Sequence, residues 1–521
     1  MSALDIRTEP LGGGRLAQIA IEGHAPPEWY PPPPRGAASW ARRAQDVSAG
    51  FASGQWAGAL HGALNPSGAA AERLARCIQA HGVVVTTGQQ PGLFGGPLYT
   101  WSKALSALAL ADALEAVTGI PVLPVFWAAT DDSDFTEAST TYVAARGGLR
   151  TLAISATGAA GAPLSEMPLE NVAPLLAELV AATGAAVYPD VFAHVASAYA
   201  QTTTVGRAYV ALLRALLEPL GILVLDAGHA AVERAARPVL DKALRQSALI
   251  ADALAVRERE LRSAGFPPQV SAVRGLSLVF ETTEGKRRRV PVDGAVDRAP
   301  GSALGPNVLL RPVVERQLLP TVAYLAGPAE MAYFAQVSAV ATALDVAQPL
   351  ALPRWAGRII EPHIARLLER LGLEIDDLRD PHAAEGRLAR QRVPEQALER
   401  IADFREQIDA WQESLEDALA PPPLRPLLPP AVIEGAGRSL AHRVDRLERR
   451  LVAAAKRRDT ELMADIATAR AALYPLGKPQ ERVLNVVPLL ARHGPALFET
   501  MRARASEHAA ALVQGRIQPT R

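Results

Sequence analysis

The sequence is poor in cysteine and carries no excess charge, and each shortage excludes a class of protein. One cysteine, Cys77, occurs among 521 residues, which rules out a disulfide framework and a cysteine-rich zinc site. A lone thiol suits a reducing compartment. Lys+Arg and Asp+Glu both number 54, so the formal net charge is zero. Because binding to nucleic acids or membrane surfaces needs a basic field, we expect neither kind of partner.

Long apolar runs are also missing. Stretches such as Val122–Ala129 are far shorter than the ~20 residues that a membrane helix needs. Met1–Ala17 lacks the basic and then apolar pattern of a secretory signal. We therefore expect a soluble, cytoplasmic protein. Its length allows roughly three domain-sized units and a core large enough to fold without a structural metal, for which no ligand spacing is present.

Short apolar segments alternate with amphipathic helices, which predicts an α/β fold with a parallel sheet. The predicted strands are Val83–Thr86, Val122–Trp127, Ile222–Leu225, Thr321–Leu325 and, as a fifth candidate, Leu350–Leu352. The segments at about 140–204 and 230–320 are too long for simple crossovers and are interpreted as insertions. Leu276–Glu281 and Arg287–Val292 in the second predict a hairpin.

The two ends of the chain have other patterns. The first 60 residues are expected to be loop-like, with Pro31–Pro34 an extended arm across the core or, alternatively, a proline-recognition ligand. Pro394–Leu419 and a helix with an apolar stripe predict an antiparallel coiled-coil hairpin around Pro421–Pro430, or else an ordinary helical subdomain. The stripe consists of Leu440, Val444, Leu447, Leu451 and Leu462. The predicted domains are a core at 1–375, a coiled coil at 376–475, and a tail at 476–521 that packs back on the core.

Ligands of parallel α/β sheets bind beyond the carboxyl ends of the strands, so we examine the loops there. The first loop, 87–103, contains Gln89, Gln90 and Gly92 and brings Lys103 into the first turns of a helix. Glycines let a backbone approach a ligand, and a helix N-terminus favours anions. The alternative is a simple turn.

The second loop is acidic. Asp131, Asp132 and Asp134 place three carboxylates within four residues, a repulsive arrangement that calls for a cation: an ammonium group, Mg²⁺ or nearby arginines. The alternative is a cluster that caps a helix.

The third loop repeats the pattern of small residues that open a helix. Gly327 precedes Glu330 and Tyr333, and Asn307 and Arg311 lie upstream. Arg311 could hold a carboxylate through two hydrogen bonds, or lie at the surface.

Other polar residues have simpler interpretations. His229 and Cys77 are interpreted as structural. The run Lys286–Arg289 is interpreted as a solvated turn or strand, with nucleic-acid contact as the alternative.

Together, these segments resemble the bacillithiol biosynthesis cysteine-adding enzymes, the BshC family. The resemblance rests on Val84–Thr100 with Lys103, Pro124–Trp127 before the acidic loop, Asn307–Pro312, Leu319–Tyr324 leading into Gly327, Pro328 and Glu330, and Gln480–Arg482 with Asn485. It implies a Rossmann-like core with two connecting-peptide insertions, a coiled coil that supports a homodimer, and amide formation between L-cysteine and glucosaminyl-malate.

The resemblance also implies roles for the loop residues. Asp131, Asp132 and Asp134 would hold an ammonium group or Mg²⁺ and take up a proton. The other substrate-binding candidates are Gln89, Gln90, Gly92, Tyr99, Thr100, Lys103, Asn307, Arg311, Tyr324, Gly327, Glu330 and Tyr333. Activation of a carboxylate makes ATP or another nucleotide the expected cofactor, with Mg²⁺ as a companion.

The sequence departs from the family in two places. The acidic loop of the family usually reads Glu-Asp-His-Asp, so that Asp131 and Ser133 differ here and the histidine is missing, and Ala326 and Ala329 replace glycines. Two alternatives therefore stay open: a sister Rossmann-like ligase or nucleotidyltransferase with a different amine substrate, and a non-catalytic dimer scaffold.

Overall fold

A computed structural model describes residues 4–516 apart from 52–53, 156–157, 160, 201–202, 272, 284, 293–301 and 422–427. The chain forms two compact units. The first comprises Met1–Val143, Arg150–Ile360 and Lys478–Arg521, and the second comprises Ala144–Leu149 and Glu361–Gly477. The first unit thus gives way to the second at Ile360, earlier than the expected boundary at residue 375, and the C-terminal segment belongs to the first unit.

The strands that the structure describes lie between Asp5 and Ile360. They are β1 (Asp5–Thr8), β2 (Val83–Gln89), β3 (Val122–Ala128), β4 (Thr140–Ala145), β5 (Gly148–Ala153), β6 (Leu223–Asp226), β7 (Leu276–Thr283), β8 (Lys286–Pro291), β9 (Ala303–Pro306), β10 (Thr321–Ala326), β11 (Ala351–Pro353) and β12 (Gly357–Ile360).

The helices fall into three groups along the chain. Those up to β6 are α1 (Arg15–Ile21), α2 (Gly36–Ala49), α3 (Gln55–Ala59), α4 (His61–Leu64), α5 (Gly68–Gln79), α6 (Leu98–Thr118), α7 (Phe135–Ala138), α8 (Ala173–Thr183), α9 (Asp190–Ala198) and α10 (Val205–Leu217). Those of the central region are α11 (Ala230–Arg245), α12 (Ser247–Ser263), α13 (Arg311–Leu318) and α14 (Pro328–Ala343). The C-terminal ones are α15 (Pro362–Leu371), α16 (Pro381–Gln391), α17 (Glu395–Leu419), α18 (Pro430–Arg458), α19 (Thr460–Leu473), α20 (Val487–His493) and α21 (Pro495–Val513).

The core of the first unit is a five-stranded sheet in the order β11-β10-β2-β3-β6, and all its neighbouring strands are parallel. Strand β3 is buried along its whole length, as expected for a parallel strand covered on both faces. The predicted parallel α/β sheet is therefore confirmed. Strand β2 runs three residues beyond the predicted end, because Gly88 and Gln89 pair with Trp127 and Ala128 of β3. Those two residues thus belong to the strand and not to the loop.

Helix α6 connects β2 to β3 and is buried along most of its length, with Trp101 fully enclosed. A helix that is apolar on all sides is stable only when it is covered by other elements. Part of the cover comes from the C-terminal segment, where Phe498 of α21 stacks on Trp101 with ring centroids 5.5 Å apart. Burying one large aromatic side chain contributes about 1.5–3 kcal/mol.

The expectation of a loop-like start was wrong. Helices α1 to α3 lie within the first 60 residues, and β1 pairs with β12. In α2, Trp40, Ala44 and Val47 are buried at helical spacing, and this periodicity outweighs the glycine and proline content. Pro31–Pro34 lie outside helices and strands.

The insertions have structure of their own. Strands β4 and β5 form a two-stranded sheet, and β7, β8 and β9 form an antiparallel sheet in the order β8-β7-β9. The predicted hairpin corresponds to β7 and β8, although Glu284 in its turn lies outside the described residues. Over the part of the chain that the structure describes, no helix combines the length and apolarity needed to cross a membrane.

The predicted coiled-coil hairpin is confirmed in the second unit, as α17 and α18. Their antiparallel register follows from two contacts: Arg405 lies against Asp445 at 2.5 Å, and Gly437 packs on Gln412. The connection at 422–427 lies outside the described residues.

The predicted apolar stripe does not lie on one helix and does not form one seam, because α18 ends at Arg458 and Leu462 belongs to α19. Val444 and Ile433 are buried, whereas Leu440 and Leu447 are 37% and 58% exposed. The intramolecular seam therefore follows a different face from the one that the stripe suggests, and the stripe leaves apolar side chains at the surface.

Candidate active site

A cavity of about 510 Å³ lies beyond the carboxyl ends of β2, β3 and β10, at the edge where the sequence places the polar loops. Its lining includes Gly88, Gln89, Gln90, Tyr99, Lys103, Asp131, Asp132, Ser133, Phe280, Arg287, Arg289, Asn307, Arg311, Gly327, Glu330, Tyr333, Arg354 and Arg482. All three predicted loops therefore contribute to one cavity of the first unit.

Lys103 of α6 and Glu330 of α14 form a buried ion pair in this cavity. The Nζ atom lies 2.6 Å from Oε2, and the side chains are 5% and 11% exposed. Lys103 Nζ also donates to the Gly88 carbonyl at 2.8 Å and to Gln89 Oε1 at 3.1 Å. Burial lowers the pKa of Lys103, against the opposing effect of Glu330. Burial alone would raise the pKa of Glu330, but Lys103 and Arg311 hold it below its usual range, so this carboxylate is ionised at neutral pH.

Two tyrosines extend the network to Arg311, the first residue of α13. Tyr324 donates its hydroxyl hydrogen to Glu330 Oε1 at 2.5 Å. Arg311 Nη2 lies 3.3 Å from the Tyr324 hydroxyl, 3.4 Å from the Tyr333 hydroxyl and 3.7 Å from Glu330 Oε1. Since each buried polar group finds a partner, the network is rigid. Tyr324 itself is buried behind the lining.

The acidic loop splits into two parts. Asp131 Oδ2 accepts a hydrogen bond from Arg287 Nη2 at 3.3 Å, and burial raises the pKa of this carboxyl while Arg287 opposes the rise. Asp132 Oδ1 accepts from the Ser133 amide at 2.6 Å, and its Oδ2 accepts from Gln90. Both carboxylates face the cavity.

Asp134 has a different position. Its side chain caps α7 by accepting from the Glu137 amide at 3.1 Å, and it does not line the cavity. The interpretation of a helix cap thus describes this one member of the loop.

The glycine-rich loop also divides. Gly88 lines the cavity, and a Cβ there would lie 2.8 Å from the Trp127 carbonyl oxygen and 3.0 Å from Arg311 Nη1, so only glycine fits. Gly92 packs on Gly96 beside a smaller neighbouring pocket, and Thr100 is buried outside the cavity lining.

Residues of the C-terminal signature hold these loops in place. Asn485 Nδ2 donates to the carbonyl oxygens of Leu93, Phe94 and Gly96 at 3.1–3.3 Å. Glu481 receives two hydrogen bonds from Arg354, at 2.9 and 2.5 Å. The segment after residue 477 therefore fixes both the glycine-rich loop and an arginine of the cavity.

The sequence did not point to two of the arginines that line the cavity. Arg287 and Arg289 line the cavity, and Arg287 also stacks on the Phe280 ring at 4.2 Å. The interpretation of Lys286–Arg289 as a solvated run was therefore wrong for these two. Side chains alternate along a strand, so Arg287 and Arg289 of β8 face the same way, but the sequence does not show that this face of β8 meets the cavity.

The balance of charge favours an anionic ligand. Six cationic residues line the cavity against three carboxylates. Arg289 and Arg482 have no carboxylate partner among the residues that the structure describes. Within the same described residues, no group of three or more His, Cys, Asp or Glu side chains is placed to hold a metal ion.

The two other candidates are structural, as predicted. His229 caps α11 by accepting from the Ala231 amide at 3.1 Å. Cys77 is buried, and burial raises the pKa of its thiol to about 12, so it stays protonated and unreactive.

Comparisons with known proteins identify the family. The model of the bacillithiol biosynthesis BshC N-terminal Rossmann-like domain matches residues 59–299 and 293–355, and that of the BshC C-terminal coiled-coil domain matches 358–511. The chain belongs to the BshC family. The resemblance found in the sequence, and the Rossmann-like fold with a C-terminal coiled coil that it implied, are thereby confirmed.

Relatives cover most of the chain. A protein of Solibacter usitatus is 32% identical over 474 residues, which span 86% of this chain and 88% of the relative. One of Koribacter versatilis is 33% identical over 459 residues, with 82% of each chain covered. A more distant relative from Bacillus licheniformis is 24% identical over 459 residues. All three carry the name "Putative cysteine ligase BshC".

Proposed function

We propose that this protein is a ligase that joins L-cysteine to glucosaminyl-malate through an amide, the last step of bacillithiol biosynthesis. The observation that carries the proposal is the cavity lining, where six cationic residues face three carboxylates at the carboxyl edge of a parallel sheet. Such a lining suits a substrate with two malyl carboxylates. The family and the names of the relatives agree with a ligase of this kind.

Amide formation from a free carboxylate requires activation, because oxide is a poor leaving group. A bound nucleotide would supply this by converting the carboxylate into an acyl phosphate or adenylate. The residues present fit such a group: Arg289 lacks a carboxylate partner among the described residues, and guanidinium groups bind phosphate through paired hydrogen bonds. Asp131 and Asp132 would accommodate an accompanying Mg²⁺, which proteins commonly bind through one or two carboxylates.

Asp131 and Asp132 are also placed to handle the amine. An attacking amine must lose protons, and a carboxylate at the cavity can accept a hydrogen bond from the ammonium group and take up a proton. Burial raises the pKa of Asp131 and so moves the pKa of this base towards neutral pH. Asp132 is held by Gln90 and the Ser133 amide, so its orientation is fixed before substrate arrives.

Ser133 is a reason to keep a second candidate. This residue lines the cavity where the family has a histidine, and a hydroxyl cannot serve as a base at neutral pH. A ligase of the same family that uses a different amino-sugar acceptor is the runner-up.

We further propose that the protein is a homodimer built through the coiled-coil hairpin. Phe404 and Trp411 of α17 are 51% and 42% exposed, and Leu440 and Leu447 of α18 are also exposed. Large apolar side chains grouped on one small element are typical of a protein interface.

The ligase proposal is tested by incubating the purified protein with L-cysteine, glucosaminyl-malate and each nucleoside triphosphate in turn, with and without Mg²⁺. Mass spectrometry should detect the amide product, and nucleotide hydrolysis should require both substrates. Replacing glucosaminyl-malate by other amino sugars tests the runner-up. A protein that is folded and yet forms no amide with any acceptor would contradict the proposal.

A further inference from the structure

A second, smaller pocket adjoins the cavity. It has a volume of about 200 Å³ and is lined by Gln90, Pro91, Gly92, Pro97, Tyr99, Thr136, Glu137, Thr140, Tyr142, Arg482 and Val483. Three of these residues, Gln90, Tyr99 and Arg482, line the main cavity as well. The two spaces therefore meet along a shared wall. Pockets for drug-sized ligands measure about 300–1,000 Å³, so the side pocket suits a smaller molecule.

The side pocket has one charge of each sign. Glu137 Oε1 accepts a hydrogen bond from the Tyr99 hydroxyl at 3.2 Å, and no cationic partner of Glu137 occurs in the described part of the chain. Arg482, equally, has no carboxylate partner there. The two groups do not neutralise each other directly, and both remain able to bind a ligand.

Tyr99 fixes the carboxylate of this pair. Gln89 Nε2 donates to the Tyr99 hydroxyl oxygen at 2.9 Å, and Lys103 in turn donates to Gln89 Oε1 at 3.1 Å. Because the hydroxyl oxygen already accepts from Gln89, its hydrogen is directed to Glu137. A chain of hydrogen bonds therefore runs from the buried Lys103–Glu330 pair to the wall of the side pocket.

We propose that the side pocket binds free L-cysteine as a zwitterion, with its ammonium group at Glu137 and its carboxylate at Arg482. This inference rests on the proposed function, which makes L-cysteine the free amino acid that the protein must bind. A carboxylate and a guanidinium in one small pocket match the two charges that every free α-amino acid carries. Pro91, Pro97 and Val483 offer apolar surface to the CH₂SH group.

The arrangement also orients the reacting group. Glu137 lines the side pocket alone, whereas Arg482 lines both spaces. An ammonium group at Glu137 therefore leaves the carboxylate at the junction, where it faces the main cavity and the incoming amine. This order of groups is the one that amide formation at the cysteine carboxylate requires.

The test uses the full-length protein, two variants and three probes. Isothermal calorimetry measures the binding of L-cysteine, of cysteamine, which lacks the carboxylate, and of 3-mercaptopropionate, which lacks the amine. Glu137→Gln and Arg482→Met should each weaken the binding of L-cysteine by about 10–100-fold, the scale of one charge-assisted hydrogen bond. Glu137→Gln should weaken the binding of cysteamine and leave the binding of 3-mercaptopropionate unchanged. Arg482→Met should weaken the binding of 3-mercaptopropionate and leave that of cysteamine unchanged.

Arg288→Met is the control, since Arg288 is exposed on the same strand as Arg289 and lines neither space; it should leave L-cysteine binding within about twofold. Unchanged unfolding midpoints establish that each variant is folded. If both variants bind L-cysteine like wild type, or each weakens both analogues equally, the assignment is overturned. Failure of the ligase proposal looks different: wild type would then form no amide, whatever the binding of the probes.

Discussion

Ion pairs occur both in the cavity and on the coiled-coil hairpin, but they do not serve the same purpose. On the hairpin, Arg400 and Asp403 lie 3.3 Å apart with side chains 85% and 51% exposed. In the cavity, Lys103 and Glu330 lie 2.6 Å apart at 5% and 11% exposure. Water screens the first pair and makes either partner dispensable. The second pair is desolvated, so each charge depends on the other and on the tyrosines around it.

The largest loss of stability is expected when the buried Lys103–Glu330 pair is broken. Glu330→Gln keeps the shape of the side chain but leaves the Lys103 ammonium buried without its counter-charge, and we expect a loss of about 3–5 kcal/mol of unfolding free energy. Denaturant unfolding followed by tryptophan fluorescence reports this, because six of the seven tryptophans belong to the first unit and only Trp411 to the second.

The matched control is on the hairpin. Asp403→Asn removes one partner of an exposed pair and should change stability by less than about 0.5 kcal/mol, as measured by circular dichroism. Similar losses for the two variants would erase the distinction between the regions.

A second prediction concerns the pH dependence of a buried carboxyl behind the cavity. Burial raises the pKa of Glu315 to about 7, although Arg311 opposes the rise. Between its ordinary value of 4.5 and about 7, the folded protein therefore keeps a proton that the unfolded chain has released. The stability from this group is fully present below the ordinary pKa and is lost as the pH rises through 7.

Glu315→Gln cannot lose a proton, so its stability relative to wild type should increase by about 1.4 kcal/mol per pH unit across that window. Unfolding titrations at pH 5, 6, 7 and 8 measure the slope. A flat difference for Glu315→Gln would show that the Glu315 carboxyl is ionised throughout and would contradict the prediction.

The smallest effect on stability is expected on the hairpin. Leu447 is 58% exposed, so Leu447→Glu should change the free energy of unfolding by no more than about 0.5 kcal/mol. The same substitution should weaken self-association. Val444 is buried, and Val444→Glu should destabilise the hairpin instead, because it buries a charge without a partner. Light scattering and circular dichroism separate the two outcomes. A monomeric wild type, or a dimer that Leu447→Glu leaves intact, would contradict the proposed interface.

The sequence revealed the sheet and its polar edge because both leave local signals. Val83–Val85 and Val122–Trp127 are short apolar runs, and the residues after them are polar or glycine. It did not reveal Arg287 as a cavity residue, because that depends on how β8 folds over Asp131 from 156 residues away. Long-range packing of this kind has no periodicity that a single sequence displays.

The different roles of the aspartates in the acidic loop could not be predicted from the sequence either. Asp132 and Asp134 carry the same side chain two residues apart in one acidic loop, so the sequence does not distinguish their roles. The start of α7 separates them, since it uses Asp134 as its cap and leaves Asp132 at the cavity. A four-residue helix is too short to be predicted by periodicity.

Catalysis at this edge of the sheet is tested most directly by comparing Asp132→Asn with Asp134→Ala. In Asp132→Asn, the new side-chain amide can still accept the Ser133 amide hydrogen, and the Gln90 amide can rotate to match it, so the fold should persist. The rate of amide formation per folded molecule should fall by about 10²-fold or more, as when an acid–base group is lost. Asp134→Ala should instead lose about 0.5–2 kcal/mol of stability with the loss of a helix cap, and keep near wild-type activity. Full activity in Asp132→Asn, or loss of activity in a stably folded Asp134→Ala alone, would contradict the account.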